Sequence, residues 1–182
     1  MKKEIRIAGF GGQGVVLSGV ILGRAAVLYD KKKATQTQSY GAEARGGAAR
    51  SEVVISDEDI DYPKVINPDI LIAISQRALD KYIKDLKPEG ILIVDSELVK
   101  DLPESCAFSL YRVPASQLAS KEFERIIVAN MIMLGFLVGL TEVISLEALK
   151  SSVRESVPKG TEELNLKALE KGGEIAKEMK RP

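Results

Sequence analysis

The chain has 182 residues, enough for one sizeable buried core, and its 26 lysines and arginines are balanced by 26 aspartates and glutamates. A formal net charge of zero gives no overall basic field for nucleic acid or an acidic membrane, so any anion site must come from local clustering. With no histidine and one cysteine, Cys106, the chain has no Ser–His or Cys–His pair, no closed Cys/His zinc site, no internal disulfide, and no ligand set for an iron–sulfur cluster of its own.

Met1-Lys2-Lys3-Glu4 leads straight into an alternating run with no signal-peptide pattern, so the cytoplasm is the expected location. That run predicts a first strand over 4–8. Val15, Leu17, Ile21, Leu22 and Leu28 then mark 14–29 as a largely buried helix, and Lys31-Lys32-Lys33 as a solvated turn beyond it. A Thr- and Gln-rich second strand covers 33–39, a loop with three glycines covers 40–47, and a third strand covers 48–56. In the third strand Ala49, Ser51, Val53 and Ile55 share one face, and Arg50, Glu52 and Val54 the other. The loop is shorter than the dozen or so residues a parallel crossover needs, so these two strands are antiparallel or in different parts of the sheet.

Residues 69–75 form a continuous apolar run, as expected of a strand covered on both faces, and Ser75 is placed to cap a helix over 76–86. Further strands are predicted at 91–95 and 106–113, with a short helix at 115–123. The apolar helix at 126–140 falls short of the roughly 18 residues of a bilayer span and is interrupted by Asn130, so it reads as a core helix. Ser145 caps a helix ending near 156, and Thr161 caps a last helix over 162–180. Strands alternate with helices without linker or repeat. The expectation is one α/β domain over 1–182, with a Rossmann-like, mostly parallel (mixed) sheet, helices on both faces and a helical C-terminal segment.

Two glycine-rich loops are the candidate sites. Gly9-Phe10-Gly11-Gly12-Gln13-Gly14 lies between the first strand and the first helix, where a helix N-terminus offers free N–H groups to a phosphate. Its spacing fits G-x-G-x-x-G, yet the second strand ends in Gln36, Thr37, Gln38 and Ser39 where an NAD site wants an acid, and Val15 stands where a P-loop requires lysine. A phosphate contact and simple close packing of helix on sheet both remain open. The second loop, Ser39-Tyr40-Gly41-Ala42-Glu43-Ala44-Arg45-Gly46-Gly47, sets a hydroxyl, a phenol, an acid and a guanidinium between glycines. Arg45 suits a bidentate carboxylate or phosphate contact; the alternative is a surface turn with a local Glu43–Arg45 pair. In a doubly wound sheet the loops after the first two strands would lie side by side. Cys106 reads as an inert buried thiol, Asp95 as a strand-end carboxylate that caps the next turn or serves a site, and Arg77 as a cation facing an anion or solvent.

Taken together, Gly11-Gly12-Gln13-Gly14-Val15 and Gln38-Ser39-Tyr40-Gly41-Ala42-Glu43-Ala44-Arg45-Gly46-Gly47 closely resemble the gamma subunit or domain of the 2-oxoacid:ferredoxin oxidoreductases. The resemblance continues through Ser51-Glu52-Val53-Val54-Ile55-Ser56, Asn67-Pro68-Asp69, Lys159-Gly160 and Glu163-Leu164-Asn165. It implies a non-autonomous subunit of an enzyme that decarboxylates a 2-oxoacid on thiamine diphosphate, forms an acyl-CoA and reduces ferredoxin. The thiamine, its Mg2+ and the iron–sulfur clusters would sit in alpha, beta and ferredoxin-like partner subunits, with coenzyme A as co-substrate. Gly11, Gly12, Gln13, Gly14 and Arg45 would then face CoA phosphates, while Ser39, Tyr40, Gly41, Glu43, Gly46 and Gly47 would line the site or an interface. The form of the second loop looks most like the 2-oxoglutarate enzymes, although Ala42 stands where those relatives often have proline. A stand-alone nucleotide-binding regulator and an NAD(P)-dependent oxidoreductase are the alternatives.

Overall fold

The computed structural model describes residues 1–41, 47–104 and 107–180, so Glu43, Arg45, Gly46 and Cys106 lie outside the described residues. Six strands, β1 (Lys2–Phe10), β2 (Lys33–Tyr40), β3 (Ala48–Ser56), β4 (Ile70–Ala73), β5 (Ile91–Asp95) and β6 (Ser109–Val113), form one sheet in the order β2-β3-β1-β4-β5-β6. β1, β4, β5 and β6 run parallel, whereas β3 is antiparallel to both β1 and β2. The mixed sheet expected from the sequence is therefore present, with the antiparallel pair at one side.

One expectation about its order fails. β1 and β2 are not neighbours, because β3 folds back between them, pairing Lys2 with Ser56 and Phe10 with Ala48. The short connection from β2 to β3 permits only a hairpin, and the hairpin docks through β3, the strand whose two faces are the more apolar. β1 is also longer than its alternating run, since it is held by a strand on each side.

Side-chain alternation sends Ile5, Ile7, Val53, Ile55, Ile72 and Ile93 to one face, and Ala8, Leu71, Ala73, Leu92 and Val94 to the other. The first face carries α1 (Val15–Arg24), which continues as a π-turn (Ala25–Tyr29), together with residues of α3 (Ala115–Phe123), α4 (Ala129–Thr141), α5 (Leu146–Ser156) and α6 (Glu162–Met179). The second carries α2 (Gln76–Tyr82) and a 3-10 turn (Ile83–Asp85). Helices cover both faces, but unequally.

The apolar helix α4 is buried all round because α6 closes over it. Their backbones come into direct contact: a Cβ on Gly135 would overlap the Leu169 carbonyl, and one on Gly172 the Ile132 carbonyl. α4 begins at Ala129, three residues later than its apolar run suggests, after a 3-10 turn (Ile126–Val128) that leaves Ile126 and Ile127 exposed. Among the described residues no helix is long and apolar enough to cross a membrane.

Two of the three expected caps form. Ser75 accepts from the Ala78 N–H at 3.2 Å and Ser145 from the Ala148 N–H at 3.1 Å. Thr161 does not cap α6. Its hydroxyl donates to the Pro158 carbonyl at 2.7 Å, and Glu162 instead accepts from the Gly160 N–H at 2.6 Å. Asp95 is a cap as well: fully buried, it accepts from the Ser116 N–H (2.9 Å) and hydroxyl (2.5 Å) at the start of α3 and from the Glu97 N–H (3.0 Å). Its carboxylate is thereby committed to structure.

Candidate functional site

The connections from β1 to α1 and from β4 to α2 leave the sheet on opposite faces, so the carboxyl ends of these adjacent parallel strands form the topological switch point. The first glycine loop lies there. Gln13 braces it: its Oε1 accepts from the Phe10 N–H at 2.7 Å, and its Nε2 donates to the Ile74 carbonyl at 3.2 Å, tying the end of β1 to the end of β4. The side-chain amide is thus occupied within the chain, and a Cβ on Gly9 would push the Gln13 Oε1 out of its bond to the Phe10 N–H. Sequence reasoning did not single out Gly9 for this role.

Gly12 and Gly14 adopt left-handed φ values of +96° and +69°. Gly12 is exposed with open space around it, whereas a Cβ on Gly14 would overlap the Asn130 amide. Gly14 is the N-cap of α1, with no side-chain cap and no acid in the first turn; the first helical bond, from the Ser18 N–H to the Gly14 carbonyl, measures 2.9 Å. The N–H groups of Val15, Val16 and Leu17 therefore precede the helical ladder and meet no capping side chain.

Through Gly14 and Leu17 this helix start borders a cavity of about 400 Å3, lined also by Arg125, Val128, Asn130 and Thr161 among others. Three helices start at this corner, since Gly14, Val128 and Thr161 immediately precede α1, α4 and α6. α1 and α4 carry neither cap nor first-turn acid; α6 has Glu162 and Glu163. Two positive helix ends and the Arg125 guanidinium give the cavity a character that favours an anion. Asn130, only 4% exposed, makes a single long contact, 3.4 Å from its Nδ2 to the Gly14 carbonyl, and its Oδ1 accepts no hydrogen bond from a described residue. The residue that interrupts the apolar helix is thus a wall of this cavity. Gly160, Leu164 and Asn165, in the C-terminal segment that carried part of the family resemblance, line it too.

The second glycine loop reaches the first despite the intervening strand. The Gly11 N–H donates to the Gly47 carbonyl at 2.8 Å, and the Gly41 N–H to the Ala48 carbonyl at 2.7 Å. Ser39 and Tyr40 stand at the end of the edge strand β2, Tyr40 62% exposed. Glu43, Arg45 and Gly46 are not among the described residues, and neither is Cys106. Arg77 sits at the start of α2 on the other face, against Gly9 and Phe10. Among the described residues no group of three His, Cys, Asp or Glu side chains is placed to hold a metal ion.

An open α/β sheet with its glycine loops gathered at the carboxyl ends of the strands defines a ligand- or partner-binding module of the doubly wound class. The chain belongs to the pyruvate ferredoxin/flavodoxin oxidoreductase family, whose model matches residues 4–175. It is 57% identical, over 98% of its length and 96% of the relative's, to the 2-oxoglutarate synthase subunit KorC of Methanocaldococcus jannaschii. The keto/oxoacid ferredoxin oxidoreductase gamma subunit of Geobacter sulfurreducens superposes with a TM-score of 0.86 at 46% identity, covering 97% of this chain and 99% of that one. The 2-oxoglutarate:ferredoxin oxidoreductase of Magnetococcus marinus also gives 0.86, at 27% identity, with all of this chain matching 32% of that one. The chain is accordingly a gamma-type subunit of a 2-oxoacid:ferredoxin oxidoreductase. These likenesses support neither a stand-alone nucleotide-binding regulator nor an NAD(P)-dependent oxidoreductase.

Proposed function

We propose that the chain, acting as one module over residues 1–182, supplies the coenzyme A side of a cytoplasmic 2-oxoglutarate:ferredoxin oxidoreductase. The uncapped start of α1, opening on a cavity where α4 and α6 also begin, carries this reading. Free N–H groups at a positive helix end suit a phosphate of CoA. The Magnetococcus enzyme, whose structure contains 2-oxoglutarate, coenzyme A and succinyl-CoA, supports the choice of carrier, and the Methanocaldococcus relative supports the choice of oxoacid.

With one cysteine and no histidine, this chain cannot ligate an iron–sulfur cluster. The clusters and the thiamine diphosphate with its Mg2+ then belong to alpha, beta and ferredoxin-like partner subunits, and ferredoxin takes the electrons. Thiamine chemistry supplies the acyl group; this chain orients the carrier that receives it. Purified alone, the chain is expected to be colourless and without turnover.

Val16→Glu in the whole complex tests the reading. A carboxylate in the first turn of α1 favours the helix but competes with a phosphate. The expected result is a KM for CoA raised about tenfold, equivalent to about 1.4 kcal/mol, with thiamine-dependent decarboxylation in the absence of CoA retained. Unchanged KM values would remove α1 from the carrier site. Arg45→Ala is expected to weaken CoA use in the same way; dissociation of the subunits with CoA use intact would make Arg45 an interface residue instead.

A further inference from the structure

The face of the sheet opposite the α1 cavity carries a second cationic cluster. Tyr82, buried on α2, has three cations near its ring: Arg6 at 5.1 Å, Lys81 at 5.2 Å and Arg50 at 5.5 Å from the centroid. Arg6 is neutralised by Glu52 at 2.7 Å and by Asp85. Among the described residues Arg50 pairs only with the same Glu52, at 3.6 Å, so one carboxylate serves two guanidinium groups. Arg77 and Lys81 form no ion pair with a described residue, and Asp80 between them accepts from the Gln76 amide at 2.9 Å.

Beside the ring lies a pocket of about 50 Å3, lined by Gly9, Phe10, Ala48, Ser75, Arg77 and Lys81 as well as by Tyr82. A water in the liquid occupies about 30 Å3, so the space suits one small anion and no organic body. The pocket also lies at the switch point, against the ends of β1 and β4, where open α/β sheets receive ligands. Four cations, Arg6, Arg50, Arg77 and Lys81, stand against three carboxylates, Glu52, Asp85 and Asp80, and the two cations that line the pocket, Arg77 and Lys81, are in no ion pair with a described residue.

We propose that this pocket binds a phosphate group, held by Arg77 and Lys81 with Arg50 behind them. Arg77 and Lys81 converge on one pocket beside the buried Tyr82 ring, over which Lys81 also lies. Two lining cations without an ion partner among the described residues suit the oxygens of a phosphomonoester or free phosphate, and the planar guanidinium of Arg77 offers paired donors to two of them. The site stands independently of the α1 cavity: Val16→Glu leaves it untouched, so failure of one assignment does not carry the other with it.

The experiment is a backbone-amide NMR titration of the full chain with inorganic phosphate at constant ionic strength. The amides of Ser75, Arg77, Lys81 and Tyr82 should shift and saturate, and the Arg77→Gln/Lys81→Gln double variant, folded because both side chains are exposed, should bind at least tenfold more weakly at those positions. Shifts confined to Val15–Leu17, or the same saturation in the double variant, would overturn the proposal. Repeating the titration with CoA and with 3′-dephospho-CoA identifies the source. If CoA alone moves these amides, the occupant is the phosphomonoester of the carrier; if neither does while inorganic phosphate does, it is a free phosphate.

Discussion

Arg6 is 3% exposed and emerges from the middle of β1, where an alternating strand would ordinarily place an apolar side chain against α2. It is tolerated because every guanidinium nitrogen finds a partner: Glu52 for Nε, Asp85 for one terminal nitrogen, and the Val65 carbonyl at 3.1 Å for the other. Arg6→Met removes the charge but leaves Glu52, itself 5% exposed, with the more distant Arg50 and the Thr37 hydroxyl. The expected loss is about 3–5 kcal/mol in urea unfolding, most of it recovered in Arg6→Met/Glu52→Leu, because an apolar pair replaces a buried ion pair at little net cost. A double variant no more stable than the single one would show that packing, not the orphaned carboxylate, dominates. Gln13 allows a subtler test. Gln13→Glu keeps an acceptor for the Phe10 N–H but sets a carboxylate oxygen against the Ile74 carbonyl, at an expected cost of about 1–3 kcal/mol. Gln13→Ala loses both bonds and should also raise the KM for CoA, since the loop is no longer held between the two strands.

Among the elements, the contact between α4 and α6 is the least forgiving. Gly172→Ala drives a methyl group into the Ile132 carbonyl and should cost about 3 kcal/mol, because backbone cannot move aside as a flexible side chain would. Gly160→Ala, at φ +86° in open space, should cost only about 1 kcal/mol of backbone strain. Melting both variants against the wild type checks the order of the two. Much of the element list was readable in the residues. The apolar runs at β4 and β5, the serine caps of α2 and α5 and the hairpin-length loop between β2 and β3 are local signals, and local physics settles them. What was not readable depends on distant partners. The position of β3 between β1 and β2 is a choice of docking strand. Thr161 does not cap α6 because its hydroxyl turns back to the Pro158 carbonyl. The approach of Asn130 to Gly14 joins residues 116 positions apart, which no periodicity reports. The candidate site was half legible: the glycines and the helix start showed in the sequence, but the internal use of the Gln13 amide and the roles of Asn130, Arg125 and the Tyr82 cluster did not.

For the molecule as a whole, acid tests one corner of the sheet. The Lys32 ammonium, at 2.6 Å, and the N-terminal ammonium, at 2.8 Å, hold the Asp57 carboxyl at about 2, down from 3.8. A pKa lowered on folding contributes stability above the unfolded value, and that contribution fades as the pH falls toward the folded one. The melting temperature of Asp57→Asn should therefore lie a little below that of the wild type above about pH 4, and the gap should close near pH 2. Salt should narrow the gap throughout, because the pair is exposed. A gap that persists in strong acid would mean that shape, not charge, is at work.

The position of β1 also bears on how the chain can be made. It leaves the ribosome before either of its partners, yet it is an interior strand paired with Ala48–Ser56 on one side and Ile70–Ala73 on the other. Until those segments emerge, Lys2–Phe10 presents two unsatisfied edges and a row of isoleucines to whatever is nearby. Synthesis halted before Ser56 would thus release a nascent fragment prone to clump, whereas a halt after Ala73 would release one whose opening strand is already sheltered.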